Sequence, residues 1–225
     1  MEKRALKDQL YEQVARIGKA ISSPRRLELL ELLAQADKTV EALTAELSID
    51  IKLASAHLKA LRVARLVTSR RHGKHVVYRL SGDDVQGLLL ALRQVAGQHL
   101  LELQQALARI DGDPQSLTPV SRKSLLAQVR SGEVILIDVR PAAEYETAHL
   151  PHARSMPLAE IEQRLAELPA GKEIVAYCRG PFCLFAEEAV RLLKRRGWTA
   201  RRLGDGVSEW QASGMSLVRR SQAPA

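Results

Sequence analysis

Apolar runs in this 225-residue chain stop at five residues, as in Leu88–Leu92. That is far short of the roughly 20 residues a helix needs to span a bilayer, so no membrane partner is expected. The opening MEKRALKDQLYEQ is charged and lacks an apolar h-region, so no secretory signal is expected and the chain reads as cytoplasmic. Cysteine is scarce: Cys178 and Cys183 are the only two. In a reducing compartment a structural disulfide between them is disfavoured, which leaves half a metal site or a nucleophile with a neighbour. Acidic residues are absent from Ile51 through Gly82, against eight Lys/Arg and three His in the same stretch. The whole chain is only +8, so this local excess is the candidate footprint of a polyanion.

Residues 1–110 carry helical periodicity. Leu6, Leu10, Val14 and Ile17 share one face. Ser23-Pro24 opens a second helix, with Pro at the first helical position where its missing N–H costs nothing. Thr39 can cap a third helix, VEALTAEL, and Asp50 a fourth, IKLASAHLKALRVA, with Ile51, Ala54, Leu58 and Leu61 as its buried stripe. Two β-prone arms, Val67–Arg71 and His75–Leu80, then flank His72-Gly73-Lys74 as a hairpin. A long amphipathic helix is expected from about Asp84 to Ile110. DGDPQSLTP is rich in turn formers and is expected to be a linker over 111–119. Beyond it, VILIDV, EIVAY and TARRL alternate with helical segments, which implies a parallel sheet covered on both faces. The expected organisation is 1–110 as a mainly helical domain with a hairpin, 111–119 as linker, 120–218 as an α/β domain and 219–225 as a tail.

Two short helices across a tight turn, followed by a basic hairpin, make a winged helix-turn-helix, in which the second helix of the pair enters the major groove. The stretch TVEALTAELSIDIKLASAHLKALRVARLVTSRRHGKHVVYRLS resembles the ArsR/SmtB repressors, through Ser55-x-His57-Leu58-x-x-Leu61, Leu66-Val67 and Gly73…Tyr78-Arg79-Leu80. The resemblance implies a homodimer, formed through the first and last helices, on palindromic double-stranded operator DNA. Lys52 and Lys59 are expected to neutralise phosphates, Ser55 to bond a phosphate or base edge, and His57 to position the helix. Arg70, Arg71, Lys74 and His75 are the expected wing contacts to the backbone. Leu53 stands where the family usually has a polar residue; it either touches a thymine methyl or fills its own domain surface. Arsenic-type members carry a Cys pair in the third helix, and VEALTAELSI has none. Zinc-type members add an Asp-x-His to a His-x-x-Glu; His99 and Glu102 match the second half, but Gln86 and Leu88 occupy the first. Half a site falls short of the four ligands zinc takes, so neither metal nor cofactor is expected.

The second half resembles the rhodanese domain. Asp138-Val139-Arg140, Glu144-Tyr145 and His149-Leu150-Pro151-x-Ala153 stand at that family's spacings, with His152 where Gly is usual. Leu203, Gly206 and Trp210 match its Leu-x-Gly-Gly-x-x-x-Trp signature, with Asp205 at the first glycine. Asp138, Arg140, Glu144 and His149 are expected to tie loops to the sheet. The resemblance makes Cys178 the nucleophile. Independently, a cysteine at the C-terminal edge of a parallel strand opens into the crevice where α/β folds bind ligands. A following helix N-terminus favours thiolate there. The loop Cys178-Arg179-Gly180-Pro181-Phe182-Cys183 has the six positions that the family uses for sulfur transfer. Cys183 stands where an anion-binding Arg or Thr is common, a loss that Arg179 could compensate. Cys183 is either a resolving thiol or a packing residue.

The reading is a multidomain chain, a mainly-α winged helix-turn-helix followed by an α/β rhodanese domain. It is expected to be a transcriptional repressor whose Cys178 takes sulfane sulfur from thiosulfate, polysulfide or a persulfide. Two alternatives stay open: a sulfurtransferase whose N-terminal domain serves localisation or dimerisation, and a metalloregulator with a vestigial rhodanese domain.

Overall fold

The computed structural model describes residues 2–111 and 121–219. The linker expected at 111–119 and the tail at 219–225 lie, but for their first residues, outside that range. Internal contacts divide the chain into two units, Met1–Leu92 and Arg93–Ala225.

The first unit begins with α1 (Glu2–Ile21), α2 (Pro24–Leu33), β1 (Lys38–Thr39), α3 (Val40–Leu47) and α4 (Ile51–Val63). Ser23 is extended before Pro24, but its side chain does not cap α2; its carbonyl instead accepts from Arg26 and Leu27 N–H. Thr39 does cap α3, its hydroxyl accepting from Ala42 N–H at 3.2 Å. Ser48 leaves α3 in a left-handed conformation (φ 51°), which turns the chain sharply into the Asp50 cap of α4. The Asp50 carboxylate accepts from Lys52 N–H at 2.7 Å. Leu29, Leu30, Leu43, Leu58 and Leu61 are fully buried and join α2, α3 and α4 in one core. Ile51 departs from the expected stripe and is 47% exposed. At 3.6 residues per turn it lies roughly 50° off the mean direction of Ala54, Leu58 and Leu61, so the stripe begins at Ala54.

The hairpin forms from β2 (Val67–His72) and β3 (His75–Leu80), antiparallel in the register Val67↔Leu80 to His72↔His75. Its turn is Gly73-Lys74, with Gly73 at φ 59°, where a side chain is strained. β1 pairs with β3, giving the order β1-β3-β2. The helix expected to run unbroken to Ile110 is two: α5 (Asp83–His99) and α6 (Leu101–Asp111). At the break, the Leu100 carbonyl accepts from Leu103 and Gln104 N–H, and the Gln104 amide donates to Gly97 O at 2.8 Å.

The described part of the second domain starts at α7 (Arg122–Ser131), capped by the Ser121 hydroxyl accepting from Ser124 N–H. It continues through β4 (Val134–Asp138), α8 (Ala142–Thr147), β5 (Ala148–His149), β6 (Arg154–Ser155), α9 (Ile161–Arg164), β7 (Glu173–Tyr177), α10 (Phe185–Arg195), β8 (Ala200–Arg202), α11 (Val207–Ala212) and β9 (Val218–Arg219). The sheet order is β6-β4-β7-β8, every pair parallel, with β4 and β7 central; β5 and β9 form a small antiparallel pair. Residues along a strand alternate faces. Ile135, Ile137, Ile174 and Ala176 pack with Ala186, Ala189, Val190 and Leu193 of α10. Leu136, Val175 and Tyr177 pack on the other side with Leu125 and Leu126 of α7 and Trp210 of α11. Both faces are covered, which is why β4 and β7 read as nearly continuous apolar runs.

Candidate functional site

Each unit carries one candidate site. On α4, Lys52, Ser55 and Lys59 are exposed and, at 3.6 residues per turn, point within about 60° of one another. His57 is half-buried and lies on the other flank, between that face and the core. Leu53 is 46% exposed, so it is not filling its own domain. Arg62 is exposed one turn beyond Lys59; the expected set omits it, although its charge and spacing continue the same face. In the wing, Arg70, Arg71 and Lys74 are exposed and His75 is half-buried. Arg70 reaches Asp37 at 3.3 Å and His75 lies 3.6 Å from Glu41. Arg71 donates to Gly73 O at 3.2 Å, across the turn. The Asp37 and Glu41 contacts come from segments distant in sequence, where spacing gives no signal. Polyanion binding at Arg70 and His75 therefore competes with two resident carboxylates.

His99 and Glu102 are both exposed and fall on opposite sides of the break at Leu100, in α5 and α6. Among the described residues, no cluster of three or more His, Cys, Asp or Glu is arranged to hold a metal ion.

In the second unit, Cys178 follows the last residue of β7, at the C-terminal edge of a central parallel strand, and α10 begins seven residues later. The loop between them folds back on itself. Cys183 N–H donates to Gly180 O at 3.2 Å, and the Cys178 thiol donates to Cys183 O at 3.4 Å. Two glycines allow this folding. Gly180 has φ 130°, and a Cβ there would meet the Glu209 carboxylate at 2.9 Å. A Cβ on Gly206 would come 2.5 Å from the Arg179 carbonyl carbon. The Gly206 signature of the sequence is thus where the turn before α11 presses on the cysteine loop. Glu209, one turn into α11, accepts from Gly206 N–H at 2.9 Å. Burial raises its carboxyl above the usual range, and nothing in the sequence marks it as a neighbour of this loop.

Cys178 is only 2% exposed, while Cys183 is half-buried between exposed Phe182 and Leu184. The two thiols are neighbours in this loop, and each shifts the ionisation of the other. Burial, then the neighbouring Cys183, pushes the Cys178 thiol well above its ordinary value. The Cys178 thiol, donating to Cys183, lowers the latter to about 7, helped by N–H groups of Arg179 and Phe185. Burial thus works against the thiolate expected on Cys178, and the Cys183 thiol is shifted the other way.

Arg179 turns into the domain. Its guanidinium pairs in bidentate fashion with fully buried Glu144 (Nη2–Oε1 2.6 Å, Nε–Oε2 3.0 Å) and lies over Phe185 at 5.2 Å. Its charge is met by a carboxylate rather than left open to an incoming anion. Arg140 and Asp138 form a second buried pair at 2.6 Å. The Tyr177 hydroxyl donates to Asp138 at 2.6 Å and accepts from Leu150 N–H, while Arg140 donates to Ala148 O. His149 stacks on Tyr145 and contacts its carbonyl at 2.9 Å. Asp138, Arg140, Glu144 and His149 thus join the ends of β4 and β7 to the segment 144–150.

Residues 23–69 match the bacterial regulatory protein family arsR, and residues 121–213 match the rhodanese-like domain family. The chain is 43% identical over 208 residues to the HTH-type transcriptional regulator Rv0324 of Mycobacterium tuberculosis, covering 92% of this chain and 91% of that one. A sulfurtransferase of Allochromatium vinosum is 29% identical over 87 residues, 38% of this chain and 79% of its own. Among solved structures, the homodimeric winged helix-turn-helix DNA-binding domain of a possible ArsR-family regulator from Mycobacterium bovis is 43% identical. It covers 43% of this chain and 89% of its own, with a TM-score of 0.41.

Proposed function

The chain belongs to the ArsR family of bacterial transcriptional regulators and carries a C-terminal rhodanese-like domain, and from that premise we propose that it is a homodimeric repressor whose operator affinity follows the sulfur state of Cys178. The observation that carries this reading is the joining in one chain of a basic recognition helix and a cysteine loop at the C-terminal edge of a parallel sheet. Lys52, Ser55 and Lys59 provide the groove face and His57 orients it; Arg70, Arg71, Lys74 and His75 provide the backbone contacts of the wing. An exposed apolar stripe on α1, Leu6, Leu10 and Val14, supports pairing with a second copy.

In the sulfur step a Cys178 thiolate attacks a terminal sulfur of a sulfane donor. A Cys–S–S bond forms, the donor's S–S bond breaks, and its electron pair leaves with the shortened donor. The proton on Cys178 passes to Cys183 as the attack begins. A donor that carries less charge than thiosulfate, such as an organic persulfide or a singly protonated polysulfide, suits a loop whose one guanidinium is already paired with Glu144. The test uses the full-length protein on DNA upstream of its own gene, with Cys178→Ser as the comparison. Specific binding by both proteins is expected, with reaction with polysulfide, read as a change in mass or as released sulfide, by the wild type alone. Uptake without specific DNA binding would favour the reading as a sulfurtransferase, and DNA binding governed by zinc would favour a metalloregulator.

A further inference from the structure

We propose that Cys183 is the resolving thiol of this loop: it attacks the persulfide on Cys178, releases hydrogen sulfide and leaves an intramolecular disulfide. The inference rests on the persulfide reading above and adds what becomes of the sulfur. The loop turns back at Gly180, whose carbonyl accepts from Cys183 N–H at 3.2 Å, and this brings the Cys183 carbonyl oxygen to within 3.4 Å of the Cys178 sulfur. No other thiol exists in the chain, so within one chain only Cys183 can take part in exchange with Cys178. The exposures differ in the sense the step requires. Cys178 is only 2% exposed, so once a donor has delivered its sulfur the thiol inside the loop is better placed to reach it than an outside one. Cys183 is half-buried and stands next to it.

Exchange proceeds when a thiolate attacks a disulfide-type sulfur and the other sulfur leaves. Here the Cys183 thiolate attacks Cys178 Sγ. The bond between Cys178 Sγ and the outer sulfur breaks, and the outer sulfur departs with the electron pair and the proton it carries, as hydrosulfide. Two cysteine sulfurs are oxidised to a disulfide while one sulfane sulfur is reduced to sulfide, so the balance closes without any further oxidant. The N–H groups of Arg179 and Phe185 lower the Cys183 thiol and stay in place when Cys178 carries its sulfur. A thiol lowered in this way is more ionised at neutral pH than a free cysteine and retains more nucleophilicity than a strongly acidic one. Attack at the outer sulfur instead would carry the sulfane atom to Cys183, with no sulfide released and no disulfide formed.

The experiment is anaerobic loading of the full-length protein with inorganic polysulfide, followed by rapid desalting, intact mass measurement and sulfide assay. Wild-type protein should become two hydrogens lighter than its reduced form and release one sulfide per chain after desalting. Cys183→Ser and Cys183→Ala should instead become one sulfur heavier, with the extra atom mapped to Cys178, and release sulfide only when a reductant is added. Two variants guard against a folding defect in one of them, and both must elute as the wild type does. Wild-type protein that stays one sulfur heavier and releases no sulfide would overturn the inference while leaving the persulfide reading intact. Failure of both Cys183 variants to gain sulfur would overturn the persulfide reading, and the inference with it.

Discussion

Replacing Arg179 by Ala would remove one half of a buried ion pair and leave Glu144, which has no exposed surface, without its bidentate partner. Breaking such a pair from one side costs about 3–5 kcal/mol, because the uncompensated charge stays in a low-dielectric interior. Against a domain stability of roughly 5–15 kcal/mol, that is from about a fifth to the whole of the total. With a urea slope of about 2 kcal/mol per molar, the unfolding midpoint should fall by about 1.5–2.5 M. The assay can isolate the second unit without cutting the chain, since both tryptophans, Trp198 and Trp210, lie in it. Arg179→Lys keeps the charge but loses the planar fork and should fall between Ala and wild type. The double variant Arg179→Met with Glu144→Leu removes both charges and should recover most of the loss, as replacing whole buried pairs by apolar residues does elsewhere. An unchanged midpoint for Arg179→Ala, or a double variant as weak as the single, would refute the assignment of Arg179 as an anchor of the loop.

Three further outcomes are expected. Lys52→Ala should weaken operator binding at all sequences and lower the salt slope by about 0.9, one phosphate's share; binding isotherms at several salt concentrations check this. Chelators and added zinc should leave operator affinity unchanged, and calorimetry that finds a stoichiometric zinc held by His99 and Glu102 would contradict it. Iodoacetamide should label Cys183 with a rate that rises through about pH 7 and levels off above it, as its thiol gives way to thiolate. Cys178, whose thiol is raised by burial, should stay unlabelled over that interval; peptide mass mapping reads both.

Periodicity and turn chemistry carried much of the fold. The Thr39 and Asp50 caps, the hairpin about Gly73 and the alternating strands are local signals, and local hydrogen bonds produce them. The departures come where geometry is not local. Ile51 was placed with a buried stripe yet is 47% exposed, because it lies roughly 50° off the direction of Ala54, Leu58 and Leu61. The break at Leu100 is made by carbonyls that rebond across it, and no proline or capping pair announces it. At the cysteine loop, residue types and spacing identified Cys178 and Cys183, but not the direction of their polarity. That depends on Cys178 being sealed beneath the loop while Cys183 lies at its edge. Arg179 was legible as a cation beside Cys178; its partner Glu144 lies 35 residues away in sequence, beyond any local pattern. Glu209 was hidden for the same reason, reaching the loop only through the contact at Gly180.

The central claim is that the sulfur state of Cys178 governs DNA affinity. The direct measurement is the dissociation constant of full-length protein for its labelled operator at fixed salt, taken reduced and after polysulfide loading and desalting. Coupling between sites in one protein is typically about 1–3 kcal/mol, or roughly 5- to 150-fold in affinity. Binding weaker by a factor in that interval is expected after loading, reversed by a reductant, with no response in Cys178→Ser. Equal dissociation constants for the reduced and loaded wild-type protein would contradict it.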